Sequence, residues 1–201
     1  ARDTPLLIVN ATITDNSVIG PSSYGGGVAL YGSSDDAQIW NSVFNGNTAG
    51  TDGDDVFISA PAMVTLASNY MSAAFVGPAG QGVFTNNTIG NAPLLGPLYM
   101  SQTGTMLRAP QAGSPLINAG AAGGLPPDAL DLDGDGNTTE PLPIDARGAA
   151  RTLGVAPDIG AVERILPNAP FANDGDAAAN VLVGVVGPDS LTGRGGDDTL
   201  V

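Results

Sequence analysis

The chain has 201 residues and carries 20 acidic side chains against 6 basic ones, for a formal net charge of -14. So negative a surface repels nucleic acid, and we expect no nucleic-acid partner. The sequence contains no Cys and no His, which excludes disulfide bonds, thiolate metal sites and histidine general bases, and leaves carboxylates, Arg, Tyr and hydroxyl groups for any chemistry.

The first predicted elements are short strands that repeat. Residues 8–16 match residues 39–47 at a spacing of 31, and a related piece follows at 86–91. Each match alternates apolar and polar residues and ends in Gly or Asn, the pattern of a strand followed by a tight corner. With 29 Gly, 16 Pro and no helical periodicity, the chain is predicted to be all-β. The matched pairs are Ile8 with Ile39, Asn10 with Asn41, Ile13 with Phe44 and Asn16 with Asn47.

The repeat predicts a parallel β-helix over residues 1–98. Short strands that cannot bury an apolar face alone are stabilised when coils of chain stack, with inward apolar residues in ladders and corner asparagines bonded to their neighbours. The alternative is an antiparallel sandwich or jelly roll, in which Asn45 and Gly46 would form a hairpin turn. A self-match at 31 residues has no natural origin in that alternative.

Two further segments carry a family resemblance. Residues 25–31 read GGGVALY and residues 44–47 read FNGN, which resembles the paired GGA[ILV] and FxxN motifs of polymorphic outer-membrane proteins. The resemblance implies a right-handed β-helix in a bacterial surface protein or adhesin. The acidic segment 51–56 is expected to be a solvated corner between strands.

Residues 99–166 are predicted to form the terminal coils or C-terminal cap. Residues 114–121 read SPLINAGA, and residues 145–163 read DARGAARTLGVAPDIGAVE. This segment is similar to the choice-of-anchor Q domain, whose members read SPLIDAG, DxRGxxR and DIGAxE. The resemblance implies the closing coils of an extracellular right-handed β-helix, followed by a surface-anchoring or secretion module.

Residues 145–163 contain five charged side chains that admit two interpretations. Carboxylates beside arginine can perform acid/base chemistry. Arginine also makes forked hydrogen bonds to carboxylates and to open carbonyls, and we expect these residues to hold the cap together. They are Asp145, Arg147, Arg151, Asp158 and Glu163.

Between the two cap motifs, residues 131–140 read DLDGDGNTTE. Three carboxylates at alternate positions before a glycine reversal gather hard oxygen ligands around one ion, as calcium loops do. An EF-hand would need Glu at its twelfth position, where this chain has Leu142, and neither flank is helical in pattern. We therefore predict a helix-less DxDxDG calcium loop with a structural role, the alternative being a solvated acidic turn. The predicted ligands are Asp131, Asp133, Asp135, Asn137 through its carbonyl, and Glu140.

Residues 167–174 include two prolines and are predicted to be a linker. Residues 175–201 then repeat every nine residues: the units 184–192 and 193–201 both read GxxGxDxLx, and the unit 175–183 is degenerate. A glycine turn followed by a short strand suits a parallel coil that binds cations at its turns, although a flexible Gly/Asp-rich tail is an alternative. The predicted metal-binding residues are Gly184, Gly187, Asp189, Gly193, Gly196 and Asp198.

The nine-residue pattern resembles the calcium-binding nonapeptides of repeats-in-toxin (RTX) proteins. The resemblance implies the start of an RTX β-roll and export from a bacterium by type I secretion. Calcium would act as a folding switch, because crowded carboxylates repel one another until the ion neutralises them.

These features together predict a secreted or cell-surface structural protein of the adhesin type, with Ca²⁺ as its ion and no catalytic residue assigned. Expected partners are a surface glycan, a host or neighbouring surface, or further copies joined through open strand edges. No segment has the roughly 18 apolar residues that a membrane-spanning helix needs.

Two other functions remain open at this point. Pectate lyases and alginate epimerases use the same kind of helix, some with the same calcium repeats. Because the strand region has no Lys and no Arg apart from Arg2, the active site of such an enzyme would lie in coils before Ala1. The absence of an initiator Met and of a signal peptide favours a fragment of a longer protein. The second alternative is a self-assembling subunit of a surface layer or filament.

Overall fold

A computed structural model of the chain describes residues 6–31, 37–59, 64–74, 77, 82–90, 92–101, 104–164, 171–174, 181–182, 189–192 and 199–200. These residues form short β-strands and one 3₁₀ turn, Ala122–Gly124. None of the helical structure in these ranges has the length and apolar character needed to cross a membrane. The chain divides into two compact units, Ala1–Arg164 and Ile165–Val201.

In the first unit, strands recur in the same order in successive passages of chain. The first passage contains β1 (Leu6–Val9), β2 (Thr12–Thr14), β3 (Ser17–Val18) and β4 (Val28–Tyr31). The second contains β5 (Ala37–Trp40), β6 (Val43–Asn45), β7 (Thr48–Ala49) and β8 (Val56–Ser59). Two shorter passages follow, with β9 (Val64–Ala67) and β10 (Tyr70–Met71), then β11 (Val83–Thr85) and β12 (Thr88–Ile89).

Each strand pairs in parallel with its counterpart in the next passage. The sheets have the orders β1-β5-β9-β11, β2-β6-β10-β12, β3-β7 and β4-β8. Ile8 lies opposite Ile39 and Ile13 opposite Phe44, so the predicted self-match is confirmed as the register of strand pairing. Every strand pairing described between residues 6 and 89 is parallel, which excludes the antiparallel sandwich for this segment.

The spacing between partners shortens along the chain. Between the first and second passages, partners lie 31 residues apart in the first three strands and 28 apart in β4 and β8. The spacing is 27 between the second and third passages and 18 between the third and fourth. Among the described residues, the third and fourth passages contain only two strands each. The first strand of each still pairs residue by residue with the first strand of the passage before it, β9 with β5 and β11 with β9.

The main core lies between the sheets. Successive side chains of a strand point to opposite faces, and the inward set of each passage is apolar. Its buried members are Ala37, Ile39, Phe44, Val56, Ile58, Val64, Leu66 and Met71, with Ile8, Ile13, Val28 and Leu30 packed against them.

A second layer covers the outer face of the β2-β6-β10-β12 sheet. Val43 and Tyr70, which alternate with inward Phe44 and Met71, pack against Leu116 and Ile159. The peptide N–H of Gly160 donates to the Asn41 carbonyl at 2.7 Å. The apolar residues in SPLI and DIGAV therefore pack against the side of the sheet.

The other described pairings between residues 92 and 164 are one short strand pair and isolated bridges. The strands β13 (Tyr99–Met100) and β14 (Met106–Leu107) pair antiparallel. Isolated antiparallel bridges join Pro127 to Pro141 and Ile144 to Ala150.

A left-handed residue turns the chain after each strand of the β1-β5-β9-β11 sheet. Asn10, Asn41, Ser68 and Asn86 have φ between 49° and 53°. Asparagine adopts this conformation more readily than most residues because its short polar side chain bonds locally. This is why asparagine recurs at the corners of the sequence repeat.

The residue after each corner forms a buried polar ladder. Asn69 Nδ2 donates to the Ile39 carbonyl at 2.8 Å, and its Oδ1 accepts from the Ser42 N–H at 2.9 Å. The Asn87 Oδ1 accepts from Asn69 Nδ2 at 3.0 Å, and the Ala11 N–H donates to Ser42 Oγ at 3.1 Å. The ladder therefore joins all four passages, and it satisfies backbone groups that the turns leave open.

The acidic segment 51–56 differs from the expected solvated corner. Asp52 is exposed, but Asp55 is fully buried. Its Oδ1 accepts from Asn47 Nδ2 at 2.9 Å, and its Oδ2 accepts from Ser72 Oγ at 2.9 Å and the Ala73 N–H at 2.8 Å. The prediction was wrong for Asp55 because Asn47 of the same passage and Ser72 and Ala73 of the next passage donate to its carboxylate.

The glycine run beside this segment allows close backbone approach. A Cβ on Gly26 would lie 2.5 Å from the Thr48 carbonyl oxygen, and one on Gly27 would lie 2.5 Å from that of Asp55. Real Cβ atoms do not approach oxygen so closely, so any larger residue would displace the backbone.

The described residues of the second unit form two strand pairs. β15 (Phe171–Asp174), within the range predicted to be a linker, pairs in parallel with β17 (Asp189–Thr192), and β16 (Val181–Leu182) pairs in parallel with β18 (Thr199–Leu200). Partners such as Phe171 and Asp189 are eighteen residues apart, which is twice the sequence period. The unit 175–183 therefore pairs with the unit 193–201, and the unit 184–192 pairs with residues 171–174, which precede the repeats.

Candidate metal centre

The predicted DxDxDG segment belongs to a loop that is closed at its base. The Asp128 N–H donates to the Glu140 carbonyl, and the Leu142 N–H donates to the Pro126 carbonyl, both at 2.8 Å. These bonds bring the two ends of the loop side by side, so its carboxylates share a small volume.

Three positions with positive φ fold the loop inward. Asp131 has φ 52°, Gly134 has φ 76° and Gly136 has φ 86°. Aspartate tolerates this conformation better than most residues, and glycine has no steric cost there. The Gly136 N–H donates to Asp131 Oδ1 at 3.0 Å, which fixes the side chain at the start of the motif.

The structure brings together the three aspartates of the motif. One carboxylate oxygen from each of Asp131, Asp133 and Asp135 lies within 4.8 Å of the other two. Asp133 and Asp135 are exposed and Asp131 is half-buried. Such a group of hard oxygens suits Ca²⁺, which takes six to eight oxygen ligands at about 2.3–2.6 Å.

A second group lies deeper and includes a residue that sequence reasoning missed. Oxygens of Asp128, Asp133 and Glu140 also lie within 4.8 Å of one another. Asp128 is 1% exposed, and its Oδ2 accepts from the Leu132 N–H at 2.7 Å. The motif begins at Asp131, so it omits Asp128; the available signal was a carboxylate three residues earlier in the same acidic segment.

Asn137 lies beside this group and orients Glu140. Its Nδ2 donates to Glu140 Oε2 at 2.8 Å, while its own Oδ1 accepts from the Thr139 N–H and hydroxyl at 3.2 and 2.9 Å. The side-chain oxygen of Asn137 is thus already engaged within the loop.

The surroundings of Glu140 disfavour its ionised form. Partial burial, followed by the negative charges of Asp135 and Asp133, raises the pKa of Glu140 above its ordinary value of 4.5, and the Asn137 hydrogen bond opposes this only in part. A bound divalent cation would replace that repulsion with attraction.

The charged residues of the cap motifs form a separate buried network. Arg147 donates hydrogen bonds from Nε and Nη2 to Asp145 Oδ2, at 2.9 and 2.7 Å. Arg151 donates to the Gly160 carbonyl and to Glu163 Oε2, both at 2.9 Å. This is the forked pairing expected of residues that hold the segment together.

Every carboxylate oxygen in this network accepts a hydrogen bond. For Asp145, Asp158 and Glu163, the donors are Arg147, Arg151 and peptide N–H groups. Burial raises the pKa of Asp158 and of Glu163, while hydrogen bonds from peptide N–H groups act in the opposite direction. The network therefore has no free oxygen for a metal ligand.

Most of the metal-binding residues predicted in the nonapeptides cannot be placed. Gly184, Gly187, Gly193, Gly196 and Asp198 lie outside the described residues. Asp189 is the first residue of β17, opposite Phe171.

Comparison of the chain with protein-family models, with curated proteins and with solved structures gave no match. The family resemblances of the sequence therefore depend on the motifs themselves.

Proposed function

We propose that the chain is part of a secreted or cell-surface structural protein of the adhesin type, built as a calcium-stabilised right-handed parallel β-helix. The observation that carries this proposal is the closed acidic loop, which concentrates carboxylates in a small volume. A structural ion is the chemistry that such an arrangement serves best.

The stacked passages support the β-helix. Four passages present parallel strands in the same order, joined by a polar corner ladder. Right-handedness is taken from the resemblance to polymorphic outer-membrane proteins and to the choice-of-anchor Q domain.

The choice of ion follows from the ligands. Asp131, Asp133, Asp135 and Glu140 offer oxygens only, which suits Ca²⁺ or Mg²⁺ rather than zinc. Mg²⁺ demands a tight octahedral site and dehydrates reluctantly, whereas Ca²⁺ accepts a large, irregular set of carboxylates. We therefore assign calcium.

The second unit supports secretion by the type I route. Its strands are parallel and their partners lie eighteen residues apart, twice the nine-residue period, as in a parallel coil built from the repeats. Such a module would fold when the exported chain meets extracellular calcium.

Calcium-dependent stability tests the proposal. Adding calcium should raise the midpoint of thermal unfolding, because a ligand that binds only the folded state stabilises it by about 2.7 kcal/mol at one hundred times its Kd. Replacing Asp131 and Asp133 by Ala should reduce this gain, while Asp52→Ala, which removes an exposed carboxylate outside the loop, should preserve it. Circular dichroism and calorimetry, with magnesium as control, give the measurement; an equal effect of the double substitution in calcium and in chelator would contradict the loop assignment.

A glycan screen separates the adhesin from the enzyme alternative. The enzyme alternative places its active site in coils before Ala1, so the screen uses the protein together with any coils that precede Ala1. The calcium-loaded protein should bind a surface polysaccharide without shortening it. Release of unsaturated or epimerised sugar would instead favour a lyase or epimerase.

A further inference from the structure

We propose that Asp128, together with Asp133 and Glu140, forms the buried half of the calcium site, so that the ion ties the base of the acidic loop to its tip. The inference rests on the proposed calcium binding by this loop. It adds a ligand that the DxDxDG motif does not contain.

The first support is an oxygen without a partner. Asp128 is 1% exposed, yet its Oδ1 has no hydrogen-bond donor among the described residues, and the same is true of the buried Oε1 of Glu140. A buried carboxylate that lacks a partner is strongly disfavoured. A cation between the two oxygens would satisfy both.

Asp128 differs in this respect from the other buried carboxylates. Both oxygens of Asp55, Asp145, Asp158 and Glu163 accept hydrogen bonds. The protein therefore satisfies buried carboxylates elsewhere in the described fold, and the exception lies where a second and a third carboxylate face it.

No described arginine neutralises the group. The ion pairs among the described residues join Arg108 to Asp15, Arg147 to Asp145 and Arg151 to Glu163. The chain contains no lysine. A metal ion would compensate three converging negative charges that no described basic side chain neutralises.

Local bonds hold Asp128 in position to bind. The Leu132 N–H fixes Oδ2, and the backbone bond to Glu140 places the two residues across the base of the loop. Asp133 belongs to both carboxylate groups. An ion held by Asp128, Asp133 and Glu140 would therefore link the base to the tip.

The test compares Asp128→Asn with the wild type and with Asp135→Asn, in the full chain, in calcium and in chelator. Asparagine keeps an oxygen for the Leu132 N–H but removes the charge. We expect at least tenfold weaker calcium binding by calorimetry, together with a higher unfolding midpoint in chelator and a lower one in calcium. Asp135→Asn changes an exposed carboxylate and should weaken binding without stabilising the calcium-free protein.

Each result has a distinct meaning. If the wild type binds calcium and Asp128→Asn binds it equally well, the assignment of Asp128 is wrong while the loop site stands. If the wild type shows no calcium heat and no shift in midpoint, the calcium site of the proposed function fails as well. Should Asp128→Asn not fold, Glu140→Gln carries the same expectation, because Glu140 is only half-buried.

Discussion

Arg151 is the largest of the fully buried side chains in the described part of the chain. Its guanidinium joins two carbonyls to Glu163 and so fixes the polypeptide where the DxRGxxR and DIGAxE motifs meet. Burial of this kind is tolerated only because the charge is paired and hydrogen-bonded.

Arg151→Met should therefore cost about 3–5 kcal/mol of unfolding free energy, since it leaves the Glu163 carboxylate buried without its cation. Arg108→Met is the matched control: its ion pair with Asp15 is partly exposed, and such pairs contribute about 1 kcal/mol or less. Urea unfolding of both variants measures the difference. Equal losses would mean that the buried ion pair is not what holds the segment.

The distance along the chain between contacting residues decides which of the loop carboxylates the sequence could reveal. Asp131, Asp133 and Asp135 were identifiable because their ligand spacing is local. Asp128 joins them only when the loop closes on Glu140, and Asp55 has donors in Asn47, eight residues away, and in Ser72 and Ala73 of the next passage. A short sequence motif cannot predict contacts between residues that lie far apart in the chain.

Among the structural elements, the corner ladder is expected to be sensitive to substitution because its side chains bond to more than one passage. Asn69 is fully buried and bonds to the passages on both sides. Asn69→Ala should destabilise the fold by about 1–3 kcal/mol for each buried group left unpaired. Gln38→Ala, at an exposed position of β5, should change stability by no more than about 0.5 kcal/mol. Thermal unfolding provides the readout, and a neutral Asn69→Ala would show that the ladder does not stabilise the stack.

For the strands, the sequence revealed the register of pairing only between the first and second passages, where it produces a self-match. The 31-residue spacing appears once, because the next passages shorten to 27 and 18. A search for a constant period misses those partners. The outer layer was also missed, since Leu116 and Ile159 have no periodic relation to the strands they cover.

For the whole molecule, the buried carboxylates predict an unusual pH dependence. The pKa values of Asp158 and Glu163 lie above their ordinary values of 3.8 and 4.5, so the folded state holds protons that the unfolded state has released. Their contribution to stability is full below the ordinary values and is lost as pH rises through the raised ones. In chelator, the unfolding free energy should therefore fall as pH rises from about 4 towards 7.

Glu163→Gln provides the comparison for this pH series. It removes one titrating group, so its unfolding free energy should depend less on pH than that of the wild type, whatever its absolute stability. Urea unfolding from pH 4 to 7 measures both slopes. A wild-type stability that increases over this range, or identical slopes, would contradict the assignment.

The unequal spacings of the stacked passages also bear on how such a chain can evolve. Strand partners remain aligned although the connections between them differ by thirteen residues from the first step to the last, as 31 falls to 18. Insertions and deletions in the connections need not disturb the strands, provided that the corner residues survive. Lineages can therefore diverge in the length and surface of these connections while they inherit the same stack, and their sequences would lose detectable similarity well before their folds did.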